Sequence, residues 1–344
     1  MTRTTTRFRL LVLGLCLAGS ALAADAGPIR ERLRERLAQR AEQKISPQPA
    51  TILGENQKIP GPGHYEIHLR HGGRDRMALI HVPKAYDAAR PAPLVMALHG
   101  GGGGAIYQAS DAIYGLITKS EQAGFIAVFP NGVSKVKNGM LATWNAGECC
   151  AQARDENVDD VGFLRAVVAD VQRRARIAPQ RVYAIGMSNG ALMSYRLACE
   201  AADVFSGIMA VAGTDNTRQC KPSRPVPVLH IHARNDDRVL FNGGAGEKFR
   251  REELVADFIA VPDSIRKWVA LNHAQGSPQR VLDVAGAYCE LHAANEGGAP
   301  VELCVTETGG HSWPGGTKDR GEEAPSQAIR ANDLMWDFFE KHAG

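Results

Sequence analysis

The sequence lacks a surplus of charge of either sign. Its 344 residues include 40 Lys and Arg and 37 Asp and Glu, and three of the arginines lie in the first 23 residues. Those residues form a predicted leader, so the mature chain is close to neutral and presents no basic field to a phosphate backbone. We therefore expect no nucleic-acid partner.

An apolar run long enough to cross a membrane is also missing. The segment at residues 10–20, LLVLGLCLAGS, has about a dozen apolar residues, whereas a spanning helix needs about 20. Arginines precede it and ALA precedes Ala24, which is the pattern of a secretory signal peptide over residues 1–23. Cys16 allows lipid attachment as an alternative, but the bulky Leu15 disfavours that processing. We expect a secreted protein, periplasmic or extracellular, without a membrane anchor.

The sequence has no nucleotide-binding motif, although five glycines, Gly100 to Gly104, follow the apolar run PLVMALH. No Gly-Lys-Ser/Thr follows as in a P-loop, and no acidic residue occupies the ribose position of a dinucleotide site. Consecutive glycines instead let backbone N–H groups approach an oxyanion closely, as acyl transfer requires. We expect no cofactor.

Residues 24–50 form a predicted basic arm ahead of a single catalytic domain at 51–344. Within the arm, Ile29, Leu33 and Leu37 recur at helical spacing among arginines. The favoured interpretation is a solvated helix or linker, and contact with an anionic surface is the alternative.

From residue 64 onward, strand-like and helix-like segments alternate. HYEIHLR and RMALIHVP predict an opening antiparallel pair, whereas PLVMALHG, FIAVFP, RVYAIG, FSGIMAVAG, VPVLHIHA and VELCVTE are apolar runs typical of buried parallel strands. Helices are predicted between them, one of them over DDVGFLRAVVADVQRR with Asp159 or Asp160 as its N-cap. The series predicts an α/β fold: a mostly parallel central sheet, helices on both faces and an active site at the carboxyl ends of the strands.

Three candidate catalytic residues follow strand ends. GMSNG places Ser188 between RVYAIG and a helix, as in a nucleophile elbow, Asp236 follows VPVLHIH, and His311 lies in the loop TGGHSWPGG. Their order is that of the α/β-hydrolase triad, in which the acid orients the histidine and the histidine activates the serine. Asp237 is the alternative acid.

Further side chains near these motifs allow two interpretations each. His230 and His232 share one side of a strand, but no third histidine has suitable spacing nearby, so core roles are favoured over a metal site. Trp313, beside His311, and Trp144, in the WNAG segment at residues 144–147, are candidate aromatic walls of the substrate pocket, with packing as the alternative. His99, before the glycines, is a further candidate substrate contact. We expect no metal.

The chain after the leader keeps six cysteines, an even number that suits disulfides in an oxidising compartment. Cys289 and Cys304 lie in two strands of a predicted hairpin and are expected to bond. The adjacent Cys149 and Cys150 are each expected to reach away, one to Cys199 and one to Cys220. The alternative is that some of these are small buried residues.

The motifs LHGGGG, WNAGECC, VDDVGFLRAVV, GMSNGALMSYRLAC, PVLHIH and GGHSWPGG occur in this order from about residue 64 onward. Together they resemble the secreted esterases grouped as polyhydroxybutyrate depolymerases and feruloyl esterases, in the α/β-hydrolase superfamily. The resemblance implies Ser188 as nucleophile, His311 as general base and then acid, and Asp236 as its orienting group. It also implies an oxyanion hole formed by backbone N–H groups of Asn189, Gly100, Gly101 and Gly102.

The expected activity is hydrolysis of a carboxylic ester through an acyl-enzyme, with hydroxyalkanoate oligomers or feruloyl-type esters as substrates. A secreted serine peptidase of the same fold is the main alternative. A non-catalytic binding protein is disfavoured because the triad is complete, and a metal-dependent hydrolase is disfavoured because the serine mechanism needs no metal.

Overall fold

The computed structural model describes residues 49–136, 139–247, 249, 254, 256–318 and 323–342. The predicted leader and the predicted arm up to residue 48 lie outside the described residues. Within the described ranges, no helix is both long enough and apolar enough to cross a bilayer.

One sheet of 11 strands runs through this part of the chain, in the order β1-β2-β3-β5-β4-β6-β7-β8-β11-β10-β9. The strands are β1 (Thr51–Ile52), β2 (Gly63–His71), β3 (Arg74–Val82), β4 (Ala92–Leu98), β5 (Ile126–Pro130), β6 (Ile177–Met187), β7 (Gly207–Val211), β8 (Val228–Ala233), β9 (Gln279–Val284), β10 (Ala287–His292) and β11 (Val301–Thr306). The central strands from β5 to β11 pair in parallel. Antiparallel pairs join β2, β3 and β5 on one side and β11, β10 and β9 on the other.

Helices cover both faces of the sheet, as the βαβ pattern predicts. They are α1 (Ala105–Gln108), α2 (Asp111–Tyr114), α3 (Leu116–Ala123), α4 (Ala151–Asp155), α5 (Asp160–Arg174), α6 (Asn189–Glu200), α7 (Val261–Leu271) and α8 (Ala331–His342). Phe163 of α5, Leu192 of α6 and Trp268 of α7 belong to one buried cluster. Leu116 of α3 and Phe339 of α8 belong to a second. The predicted α/β class is therefore confirmed.

Helix α5 shows how local sequence sets a boundary that later positions the site. Asp159 caps the helix by accepting the N–H of Gly162 at 2.9 Å, which satisfies one of the first-turn donors that have no partner within the helix. The next residue, Asp160, is buried against Arg76 at 2.7 Å and accepts the N–H of Asn145 at 2.8 Å. The start of α5 therefore holds the WNAG segment in place.

The register of the parallel strands brings their carboxyl ends to one edge of the sheet. The aligned pairs near these ends are Leu98 with Gly186, Met187 with Val211, and Ala233 with Thr306. The loops that carry the candidate catalytic residues therefore leave the sheet side by side. In the antiparallel part, Cys289 lies opposite Cys304 and the two form a disulfide, which confirms that predicted bond.

Candidate active site

Ser188 lies on a strained turn between β6 and α6. Its φ of 56° and ψ of −123° are unusual for a residue with a side chain, and such strain is typical of a nucleophile elbow. A Cβ on Gly190 would lie 2.2 Å from the carbonyl oxygen of Leu98, and one on Gly186 would lie 2.3 Å from the backbone of Gly190. Both flanking glycines are therefore required by close backbone contacts around the turn.

Gly213, which no sequence motif marks, supports the same turn. A Cβ on Gly213, in the loop after β7, would lie 2.6 Å from the carbonyl oxygen of Ser188. The N–H of Ser188 donates to the carbonyl of Val211 at 2.9 Å. The loop after β7 therefore fixes the elbow from the side opposite to β4.

Asp236, rather than Asp237, contacts the candidate histidine. The Nδ1 of His311 lies 2.9 Å and 3.1 Å from the two carboxylate oxygens of Asp236, and both side chains are buried. The N–H groups of Arg238 and Val239 also donate to Oδ1 of Asp236, at 2.8 Å and 3.0 Å. An Nδ1–H donated to Asp236 leaves Nε2 of His311 able to accept a proton.

The charge state of Asp236 follows from these contacts. Burial alone would raise the pKa of Asp236, but its interactions with His311 and its hydrogen bond with His232 hold the pKa of this carboxyl well below its ordinary value. The group is therefore a carboxylate throughout the neutral range, as an acid that stabilises a protonated histidine must be.

Behind Asp236, a buried hydrogen-bond chain uses both strand histidines. The hydroxyl of Tyr195 lies 2.7 Å from Nδ1 of His230, and Nε2 of His230 lies 3.1 Å from Nδ1 of His232. The carbonyl of Val239 accepts from Nε2 of His232 at 2.8 Å, and Asp236 lies 3.4 Å from the same nitrogen. Two neutral histidines satisfy every one of these bonds, and burial holds the pKa of His230 well below its ordinary value. Because all four ring nitrogens are engaged, the arrangement favours the core role over the metal alternative.

The glycine loop after β4 lies directly on the elbow. A Cβ on Gly100 would lie 3.3 Å from the carbonyl oxygen of Met187, and one on Gly101 would lie 3.5 Å from Cβ of Asn189. Asn189 is the first residue of α6, where backbone N–H groups have no partner within the helix. Within the described residues, no backbone carbonyl accepts the N–H of Gly100, Gly101 or Asn189.

Gly102 differs from its neighbours, so its expected place in the oxyanion hole is wrong. Its N–H donates to the carbonyl oxygen of Ala142 at 2.8 Å and is not available to a substrate. Gly103 likewise donates to the carbonyl oxygen of Gly100 at 2.9 Å. The loop therefore bends after Gly101, which leaves Gly100, Gly101 and Asn189 as candidate donors.

His99 supports the glycine loop and does not line the cavity. It is fully buried, its Nδ1 lies 2.9 Å from the carbonyl oxygen of Gly100, and its Nε2 accepts the N–H of Gly132 at 2.9 Å. Burial lowers the pKa of His99 to about 4, so the ring is neutral at neutral pH. The candidate role of His99 as a substrate contact is therefore wrong.

Trp144 also packs beneath the site, so its candidate role as a pocket wall is wrong. Its ring is fully buried, and its Nε1 donates to the carbonyl oxygen of His99 at 3.0 Å. Trp313, in contrast, is one of the residues around the cavity. Its Nε1 donates to Oδ1 of Asn332 at 3.0 Å, and its ring meets that of Tyr114 edge to face at 5.5 Å between centroids.

The predicted bonds from the adjacent cysteines to Cys199 and Cys220 are wrong. Cys149 bonds Cys150, and Cys199 bonds Cys220. Helix α6 explains the difference, because Nδ2 of Asn189 at its start lies 3.9 Å from the sulfur of Cys149. Cys199 lies near the other end of this helix, roughly 15 Å away at a rise of about 1.5 Å per residue.

Ser188 and His311 face one cavity of about 320 Å³. Its mostly apolar lining includes Tyr107, Ile113, Tyr114, Met187, Leu192, Phe249, Leu254, Phe258, Trp313 and the Cys149–Cys150 pair. The site combines a buried His–carboxylate pair, a strained serine and N–H groups that have no acceptor among the described backbone carbonyls. Around one mostly apolar cavity, these are the parts needed for acyl transfer. Phe249, Leu254 and Phe258 belong to a loop whose sequence carries no recognisable motif.

Comparisons with known proteins identify the family of this chain. The family described as "Putative esterase" matches residues 71–313. The chain is 28% identical to feruloyl esterase B of Piromyces equi over 243 residues, which are 69% of this chain but 42% of that protein. It is 31% identical to the putative esterase NocK of Nocardia uniformis subsp. tsuyamanensis, over 71% of this chain and 72% of that protein.

A solved structure shares the fold. The acetyl xylan esterase from Aspergillus awamori superposes with a TM-score of 0.51 at 14% identity, over 76% of this chain and 94% of the other. At this identity, the likeness concerns the fold alone. With the family match spanning most of the described residues, the chain belongs to the putative esterase family and has its α/β-hydrolase fold.

Proposed function

We propose that this protein is a serine-dependent carboxylic ester hydrolase that acts through an acyl-enzyme. The observation that carries the proposal is the buried contact between His311 and Asp236 beside a cavity that also exposes the strained Ser188. Membership of the esterase family supports the reaction class.

In the first half-reaction, Oγ of Ser188 attacks the ester carbonyl carbon while Nε2 of His311 takes the hydroxyl proton. The negative charge that develops on the carbonyl oxygen is stabilised by N–H groups of Asn189 and of Gly100 or Gly101. The C–O bond of the ester then breaks, and His311 returns its proton to the leaving alcohol.

In the second half-reaction, His311 takes a proton from water as the water attacks the acyl carbon. The bond to Ser188 breaks, the serine regains its proton and the carboxylic acid is released. Throughout both halves, Asp236 orients His311 and stabilises its protonated form.

The substrates belong to the feruloyl-type esters or to short hydroxyalkanoate esters. One relative is named as a feruloyl esterase and the structural neighbour as an acetyl xylan esterase. The apolar and aromatic lining of the cavity suits an acyl or phenolic group. We further propose that the protein acts outside the cytoplasm, because its six described cysteines are paired and a predicted signal peptide precedes the domain.

The test compares the wild type with Ser188→Ala on 4-nitrophenyl butyrate, methyl ferulate and a peptide anilide. The wild type should cleave the esters and not the anilide, and an organophosphate should add one adduct to Ser188, seen by peptide mass spectrometry. Ser188→Ala should keep its thermal midpoint and lose both hydrolysis and labelling. Anilide cleavage faster than ester cleavage would show a peptidase, and full activity of Ser188→Ala would rule out the mechanism.

A further inference from the structure

The cavity beside Ser188 is lined by two aromatic walls and by two cations. One wall contains Phe249, Leu254 and Phe258, and the rings of Phe249 and Phe258 stack at 5.6 Å. The other contains Tyr114 and Trp313. Arg238 and Lys318 also line the cavity, and none of its lining residues in the described part of the chain is acidic.

Arg238 is held beside the candidate acid by its backbone. Its N–H donates to Asp236 at 2.8 Å, and its carbonyl oxygen accepts the N–H of Gly246 at 2.7 Å. A Cβ on Gly246 would lie 2.1 Å from the carbonyl oxygen of Asp237, so the two segments are in tight contact. The carbonyl oxygen of Gly246 also accepts the N–H of Phe249 at 3.5 Å, so Arg238 lies on the same side of the cavity as Phe249.

The guanidinium of Arg238 differs from those of the other described arginines in its lack of side-chain partners. Every other arginine that the structure describes donates a side-chain hydrogen bond or forms an ion pair with another described residue. Arg234, for example, bonds the hydroxyl of Tyr288 at 2.9 Å and lies 3.4 Å from Glu307. Within the same described residues, Arg238 makes no such side-chain contact, although it is half-buried at the cavity.

A half-buried guanidinium that has no carboxylate partner among the described residues, in a mostly apolar cavity, has a specific chemical complement. Its planar N–H groups match both oxygens of a carboxylate, and a charge pair in such a site is less screened by water than one on the surface. We propose that Arg238 binds a carboxylate on the ester substrate, so that the preferred substrates are esters with a free acid group. This inference rests on the proposed esterase function, since the carboxylate is part of the molecule that Ser188 cleaves.

Two matched pairs of esters test the inference and locate the charge. The first pair is 4-nitrophenyl hydrogen glutarate and 4-nitrophenyl pentanoate, which differ by a carboxylate on the acyl side. The second is the linear 3-hydroxybutyrate dimer and its methyl ester, which differ by a carboxylate on the alcohol side. In at least one pair, kcat/KM of the wild type should be about 10- to 100-fold higher for the anion, as a hydrogen-bonded charge provides.

Arg238→Gln should bring this ratio of kcat/KM values close to one, and added salt should lower the ratio for the wild type. Arg234→Gln is the matched control, because it removes the same charge four residues earlier from a site outside the cavity, and its ratio should stay that of the wild type. Circular dichroism and a thermal melt check that each variant folds. Inhibition of the wild type gives a test that needs no variant. Glutarate should competitively inhibit hydrolysis of 4-nitrophenyl butyrate, and pentanamide should not.

The inference is overturned if the wild type shows no preference for the anion in either pair and no competition by glutarate. It is also overturned if the preference survives in Arg238→Gln, or if Arg234→Gln loses it equally. Failure of the proposed function looks different, because the wild type would then leave the neutral esters uncleaved, or Ser188→Ala would cleave them.

Discussion

Asn189 and Trp144 exchange two hydrogen bonds: the N–H of Trp144 donates to Oδ1 of Asn189 at 2.7 Å, and Nδ2 of Asn189 donates to the carbonyl of Trp144 at 3.1 Å. Both residues are buried. The residue after the candidate nucleophile therefore fixes the WNAG segment through its side chain, while its backbone N–H bonds no described backbone carbonyl.

Replacing Asn189 by alanine should reduce both stability and activity. The N–H of Trp144 would be left buried without its acceptor, whereas the carbonyl oxygen of Trp144 would keep the N–H of Cys150 at 3.1 Å. The unpaired N–H should lower the free energy of unfolding by about 2 kcal/mol. The elbow would also lose its contact with the neighbouring segment, so kcat should fall about tenfold or more. Urea unfolding and 4-nitrophenyl butyrate kinetics measure the two effects.

Asn272 offers a matched control for Asn189. Its side chain exchanges the same two bonds with Val226, at 3.0 Å and 2.7 Å, and it is equally buried. Asn272→Ala should therefore cost a similar free energy of unfolding without changing kcat/KM. If both variants lose activity in proportion to stability, the link between Asn189 and catalysis does not exist.

Gly190→Ala should damage the fold around the nucleophile. The added Cβ would lie 2.2 Å from the carbonyl oxygen of Leu98, so β4 and α6 would have to separate. We expect a loss of at least about 2 kcal/mol in the free energy of unfolding, as for other overpacked sites, and a loss of ester hydrolysis. Gly276→Ala is the control, because nothing lies within 4 Å of its added Cβ. Wild-type stability in Gly190→Ala would contradict the described packing.

Periodicity and turn motifs were sufficient for much of this architecture. The run RVYAIG followed by GMSNG predicts a strand, a tight turn and a helix from local pattern alone, and the structure has β6, Ser188 and α6 at those positions. Asp159 as a helix cap is also a local property and is confirmed by its bond to Gly162. Such features depend on a few neighbouring residues, which explains why the sequence predicts them.

The features that could not be predicted depend on contacts between distant segments. Gly102 looks identical to Gly101 in the sequence, and only the approach of Ala142 decides which N–H is already bonded. The sequence predicts Trp144 close to the glycine loop, but only the structure shows that the carbonyl oxygen of His99 accepts its Nε1–H and holds its ring beneath the site. No sequence motif marks Arg238. Its position at the cavity follows from the backbone contact between Arg238 and Gly246.

Asp236→Asn should separate the two candidate acids. An asparagine cannot stabilise a protonated His311 and favours the wrong tautomer, so kcat should fall by about 10⁴. Asp237→Asn makes the same change of charge at the next residue and should stay within about threefold of the wild type, since His311 contacts Asp236. Single-turnover kinetics with 4-nitrophenyl butyrate measure both. A larger loss in Asp237→Asn would move the acid by one residue.

The stability of the protein should fall in mild acid because of His99. Its folded-state pKa is about 4 against an ordinary value of 6.5, so between these values the unfolded chain binds a proton that the folded chain does not. The free energy of unfolding should therefore decrease as the pH drops from about 6.5 to about 4, by about 3 kcal/mol from this residue, and this contribution should level off below. The buried His230, whose pKa is also lowered by burial, acts in the same direction.

Urea unfolding between pH 7 and pH 4 in wild type and His99→Asn tests this origin. Asparagine keeps a donor near the position of Nδ1 but cannot titrate, so the variant should be less stable at pH 7 and yet lose less stability on acidification. His273→Asn is the control, because His273 is exposed and its φ of 51° is one that asparagine tolerates. Its pH dependence should match that of the wild type. An unchanged slope in His99→Asn would show that other groups cause the acid sensitivity, since only the slope reports the proton that His99 excludes when folded.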